Sequence, residues 1–168
     1  MKITGLRIIE LRASARGNWI FVLVDTDAGL SGLGEASQSG NDRLVKHALE
    51  QMEERLVGED PSQPEVLWEK MTAAAGIFSG NSGRVGATAV SALDQAIWDL
   101  AGKAENAPVY ELLGGQVRES APIKMVVGAF PVEKALGLTR RFLDWGVGTE
   151  GKEAGVPYWK VANSWNPY

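Results

Sequence analysis

The stretch VDTDAGLSGLGEAS, residues 24–37, decides the fold. Within it DTDAGLSG reads as a tight turn, because Asp27 can bond back to the local backbone and Gly29 can take positive φ at no steric cost. Residues 19–27 lead into that turn with Trp19, Ile20, Phe21, Val22 and Val24, β-branched and aromatic side chains that suit a pleated surface. Residues 30–37 continue beyond it as a strand, and residues 2–12 form a further strand ahead of it. Three strands joined in chain order predict an antiparallel meander over the first forty residues. The GLSGLG run has the spacing G-x-x-G-x-G inside a hairpin, not ahead of a crossover helix. Its glycines are therefore expected to serve sheet packing and not to cradle a phosphate.

From Asp42 the apolar period changes. Leu44, Val45, Ala48, Leu49, Met52 and Leu56 recur at spacings of three and four, one stripe on a helix that Asp42 should cap and Gly58 should end. A second helix is predicted from about Pro64 to Ala75, with Pro in the first turn where no amide bond is lost. The glycine-rich GIFSGNSGRVG, residues 76–86, reads as a loop. A third helix over roughly 86–104 carries Ala89, Leu93, Ala96, Ile97 and Leu100 on one face, and a short helical turn follows Pro108. Residues 121–130, APIKMVVGAF, then read as a strand, and 131–146 as a helix with Val132, Ala135, Leu136, Phe142 and Leu143 on one face. A strand followed by a crossover helix is the unit of a parallel α/β fold, which places a boundary near residue 120. The expected class is α+β: a three-stranded antiparallel meander, a helical bundle, and a short βα piece towards the C-terminus.

The totals narrow the function. The 168 residues carry a formal net charge of −4, which disfavours a non-specific grip on nucleic acid. No cysteine is present, so thiolate chemistry and disulfides are excluded. Arg7, Glu10 and Arg12 interrupt the N-terminal apolar run, which therefore does not read as a signal peptide. A soluble, cytoplasmic protein with neither nucleic-acid nor membrane partners is the expectation. The one histidine, His47, falls off the apolar stripe of its helix and reads as a solvated surface residue.

Taken together, VDTDAGLSGLGEAS and GATAVSALDQAIWDLAGKAENAPVYELLGGQVR, residues 86–118, strongly resemble the N-terminal capping domain of the mandelate racemase/muconate lactonizing enzyme branch of the enolase superfamily. The likeness covers about residues 1–122. It implies a three-stranded sheet packed on helices, which in complete members closes over a modified (β/α)7β barrel. Family chemistry is abstraction of a proton α to a carboxylate, with Mg²⁺ stabilising the enediolate and a Lys or His as base. Racemisation, epimerisation, cycloisomerisation and acid-sugar dehydration are the outcomes. The resemblance divides the chain into a capping domain (1–120), the first βα unit of a truncated barrel (121–146) and an aromatic tail (147–168).

In the family, the loop between the first two strands reaches over the barrel mouth and selects substrate. Here that loop is ASARGNW, residues 13–19. Arg16 could pair with a substrate carboxylate through a bidentate guanidinium, and Asn18 could meet hydroxyls. The resemblance thus implies a small carboxylate or acid-sugar substrate, provided that a barrel is supplied. Glu35, Asp94 and Asp99 are expected to hold the fold together. The family's next barrel strand usually carries Lys-x-Lys, and Lys160-Val161-Ala162 supplies only the first Lys. No catalytic residue or metal ligand is therefore assigned, and no cofactor is expected in this chain, Mg²⁺ belonging to complete relatives. The chain alone is expected to be inactive.

Two alternatives stand beside this reading. A capping domain without its barrel could be an interaction module that self-associates through an exposed apolar face. The tail from about residue 145, with Asn163-Ser164-Trp165, is similar to cathepsin B-like papain-family peptidases, in which the Asn orients a catalytic His. Without a cysteine it could only be a non-catalytic relic.

Overall fold

The structure, a computed structural model, describes residues 1–14, 17–38, 40–76, 83–117, 131–144, 150–153 and 156–159. The chain divides into two compact units, Met1–Gln116 and Val117–Tyr168.

In the first unit, strands β1 (Ile3–Ser14), β2 (Gly17–Thr26) and β3 (Ser31–Glu35) form an antiparallel sheet in the order β1-β2-β3. The meander and the α+β class are as the sequence predicts. The β2–β3 turn closes with Thr26 N–H donating to the Leu30 carbonyl at 3.1 Å and Gly29 at φ 74°, the left-handed conformation that its missing side chain permits. Asp27 does not bond locally as expected. Its Oδ1 accepts from the Lys2 N–H at 2.7 Å, which ties the turn to the start of β1.

Helices α1 (Asp42–Leu56) and α3 (Gly83–Glu105) cover one face of the sheet, α2 (Pro64–Ala75) packs on those two helices, and the short α4 (Val109–Leu112) follows. The core joins Ile20, Val22 and Val24 of β2 to Val45, Leu49 and Leu56 of α1 and to Leu93, Ile97 and Leu100 of α3. All five residues of the predicted α3 stripe are buried. In α1 the stripe is narrower than the period suggests, since Leu44 is 57% exposed. Asp42 is the first residue of α1 and not its cap; Asn41 precedes it, and neither supplies a side-chain capping bond. A carboxylate in the first turn still favours the helix dipole. The predicted loop over 76–86 is shorter at its C-terminal end, because α3 already begins at Gly83.

Two glycines set how closely the layers approach. A Cβ on Gly32 would lie 1.9 Å from the Ala96 carbonyl oxygen, and one on Gly34 would lie 1.9 Å from that of Ala92. The α3 backbone thus rests directly on β3, at a distance no side chain could occupy. Residues four apart on α3 then serve the open edge of β3. Asp99 accepts from the Leu33 N–H (2.8 Å), Gln95 from the Glu35 N–H (3.3 Å), and Lys103 donates to the Ser31 carbonyl (2.6 Å). Alternate residues of an edge strand turn their peptide groups outward, so one helix face satisfies the exposed edge. α3 ends with Ala107 N–H on the Gly102 carbonyl, Asn106 N–H on the Lys103 carbonyl, and Asn106 at φ 51°. That pattern is a Schellman stop, and Pro108 follows it.

In the second unit, α5 (Val132–Asp144) matches the predicted helix. β4 (Glu150–Glu153) and β5 (Val156–Trp159) pair as an antiparallel hairpin, Glu150 opposite Trp159 and Glu153 opposite Val156. The strand expected over 121–130, and Lys160, Asn163 and Trp165 of the tail, lie outside the described residues.

Candidate functional site

The antiparallel register brings the start of β2 beside the end of β3: Phe21 faces Glu35, and the Ala36 N–H donates to the Ile20 carbonyl at 2.7 Å. The end of β1, the start of β2, the segment after β3 and the start of α1 therefore gather at one end of the sheet. Ser37 closes the junction, its Oγ accepting from the Ile20 N–H at 3.0 Å.

Charged and amide side chains from three elements meet there. Glu10 follows Leu6 and Ile8 on the face of β1 that turns towards the helices. Its Oε1 accepts from Asn18 Nδ2 of β2, and its Oε2 accepts from Lys46 Nζ of α1. Those two contacts, Lys46 foremost, hold the Glu10 carboxyl below the usual carboxylate range. Asn18, predicted as a substrate contact, thus sits at this end with one amide hydrogen already committed. Arg16 lies outside the described residues. Next to this cluster, Gly40, Asn41, Asp42, Arg43 and Leu44 line a depression of about 400 Å³. Of two buried acceptors without a hydrogen-bond donor, Gln38 Oε1 and Asp42 Oδ1, the second belongs to this lining.

Sequence reasoning missed Glu10 and Lys46. The available signal was a carboxylate on the inward side of an alternating strand, where the neighbouring layer can offer it a partner. At the opposite end, Arg7 Nε donates to Asp25 Oδ2 at 2.5 Å and Ser31 Oγ donates to Asp25 Oδ1. The Arg7 contacts hold the Asp25 carboxyl below its ordinary value.

The remaining carboxylates named from sequence sit apart from this end. Asp99 serves the edge of β3, as above. Glu35 is exposed, and its N–H is bonded to Gln95. Asp94 lines a depression of about 330 Å³ with Glu65, Trp68, Glu69 and Trp98. Burial, and then the Glu65 charge, raise the Asp94 carboxyl above its usual value. His47 is exposed and lies 3.7 Å from Glu50.

The family model for the mandelate racemase / muconate lactonizing enzyme N-terminal domain matches residues 8–114. The chain belongs to this family. Among its relatives, a D-galactonate dehydratase from Variovorax paradoxus (strain S110) is 38% identical over 152 residues, 89% of this chain and 37% of its own length. A D-galactonate dehydratase from Ralstonia pickettii (strain 12J) is 42% identical over 119 residues, 71% of this chain and 29% of its own. The chain thus spans little more than a third of the curated relatives it matches, or less. Among solved structures, an enolase from Agrobacterium radiobacter with bound sodium and L-malate superposes with a TM-score of 0.72 at 33% identity, covering 86% of this chain and 36% of that one. A mandelate racemase/muconate lactonizing protein from Paracoccus denitrificans PD1222, complexed with magnesium, gives 0.74 at 25% identity, covering 84% and 39%.

Among the described residues no group of three or more His, Cys, Asp or Glu side chains could hold a metal ion. The described donor set therefore does not fit the family's magnesium, and no chemical step is derived through it. No helix among them is long and apolar enough to cross a membrane.

Proposed function

We propose that this chain is the capping, substrate-gating part of an acid-sugar dehydratase of the mandelate racemase / muconate lactonizing enzyme family, acting on aldonic acids of the D-galactonate kind. The single observation that supports the reading most is the 42% identity to a D-galactonate dehydratase over 119 residues. In this reading Arg16 pairs with the substrate carboxylate, and Asn18, beside Glu10 and Lys46, meets a hydroxyl. In this reading proton abstraction is the work of the family's barrel.

A chimera tests this. Residues 1–116 would replace the corresponding segment of the Ralstonia pickettii enzyme. Retained dehydration of D-galactonate is expected, with Arg16→Met raising KM more than it lowers kcat. A folded chimera with no activity would count against the reading.

A second reading, self-association, is favoured by one observation. On the face of the sheet away from the helices, Ile9, Leu11, Trp19 and Leu33 are 41%, 49%, 54% and 49% exposed. A contiguous apolar face of that kind favours association. Light scattering that gives a monomer at every concentration tested would count against it.

A further inference from the structure

Resting on the substrate-gating reading, we infer that Glu10 and Lys46 are positioning residues: they fix the end of the β1–β2 hairpin and turn the carbonyl end of the Asn18 amide towards a substrate hydroxyl. The geometry carries this in three steps. First, Glu10 divides its two oxygens between elements, Oε1 to Asn18 on β2 and Oε2 to Lys46 on α1. One carboxylate therefore couples both arms of the hairpin to the helix behind them. The side chains of Lys46 and Glu10 are 31% and 33% exposed, so the pair is open to water and fixes geometry more than it adds stability.

Second, an ionised carboxylate can only accept. The end of the Asn18 amide that faces Glu10 must be Nδ2, which removes the usual ambiguity of an amide flip. Oδ1 is then the end presented away from Glu10, and it takes a hydrogen from a ligand O–H. An Asn free to flip would present donor and acceptor alternately and would discriminate less. Third, Lys46 cancels the Glu10 charge. An uncompensated carboxylate at this end would repel an anionic substrate. Glu10 and Lys46 need not touch substrate; they act through Asn18.

The test uses the full 168-residue chain and NMR, with no substrate present. Hydrogen exchange of the Asn18 side-chain amide and the {¹H}–¹⁵N NOE of residues 17–19 are measured in the wild type, Glu10→Ala, Glu10→Gln and Lys46→Met. Loss of a hydrogen bond to a charged group should speed Asn18 amide exchange about tenfold or more in Glu10→Ala. Glu10→Gln keeps a neutral acceptor and should fall between Glu10→Ala and the wild type. Lys46→Met should lower the NOE at residues 17–19 while leaving the core amides protected. Exchange within about twofold of the wild type in all three variants would overturn the proposal, because a hydrogen bond of even modest strength would exceed that change. Should Glu10→Ala fail to fold, the near-isosteric Glu10→Gln and Lys46→Met carry the same decision. An inactive chimera with Asn18 still protected would sink the gating reading separately from the clamp.

Discussion

Gly34, one of the two glycines on which α3 rests, gives the sharpest prediction. Gly34 has ordinary extended backbone, so Gly34→Ala strains no dihedral; what it lacks is room. The new Cβ would stand 1.9 Å from the Ala92 carbonyl oxygen, and even the Ala92 Cα lies at 3.3 Å. Ordinary contact begins near 3.4 Å, so α3 would have to move about 1.5 Å from β3 at that point. The obstacle is helix backbone, which cannot swing aside as a flexible side chain would. Overpacking of this kind costs about 1–3 kcal/mol. A displaced helix also pulls Asp99 and Gln95 from the Leu33 and Glu35 amides, at about 1 kcal/mol for each bond. The expected loss is therefore about 3–5 kcal/mol, a large part of the roughly 5–15 kcal/mol that stabilises a typical domain. Urea denaturation followed by far-UV circular dichroism measures it as a lower midpoint. Gly29→Ala is the control: nothing lies within 4 Å of its Cβ, but φ is 74°, so it should lose only the roughly 1–2 kcal/mol of a left-handed backbone. A Gly34→Ala loss no larger than that of Gly29→Ala would refute the argument that helix contact, and not turn geometry, makes the GLSGLG run glycine-rich.

The remaining predictions concern neighbouring features. Asp99→Ala should cost about 1 kcal/mol and speed exchange of the Leu33 amide, whereas Asp99→Asn, which keeps an oxygen acceptor, should lose less; hydrogen exchange read residue by residue checks both. Leu93→Ala, at a fully buried core position, should cost about 2–5 kcal/mol in the same urea assay. Burial and the Glu65 charge raise the Asp94 carboxyl, so the folded state binds that proton more tightly than the unfolded chain does. Its contribution is fully present below the unfolded carboxylate value of about 3.9 and falls away as pH rises through the higher folded value. Asp94→Asn should therefore raise the urea midpoint at neutral pH, and the gain should vanish in acid; a gain that persists there would contradict the assigned cause.

Much of the first unit was legible because its signals are local. The alternation in residues 19–27, the turn at Gly29 and the Ala89–Leu100 stripe each specify a conformation within a few residues. The places where sequence misled share a different physics. Leu44 fits the α1 period yet is exposed, because a period gives the direction of a stripe and not the width that the neighbouring layer covers. Asp27 and Asp42 have the chemistry of local turn and cap residues, but long-range backbone claims the first and the second lies inside the helix. The hairpin over 150–159 has short strands of four residues each, with Pro157 in one of them, and so gives little periodic signal.

The candidate site divides along the same line. By itself the sequence determined the meander, the helices and the glycine pair of β3, because steric freedom, turn chemistry and apolar period act between near neighbours in the chain. It also pointed to residues 13–19 through a family likeness. Only the tertiary structure decided that Glu10, Asn18 and Lys46 meet, and that Asp99 serves the Leu33 amide 66 residues away. Those pairings depend on the distance and angle at which α1 and α3 settle on the sheet. That distance is set by whole packed layers, down to the missing side chains of Gly32 and Gly34, and no one segment of the sequence carries it.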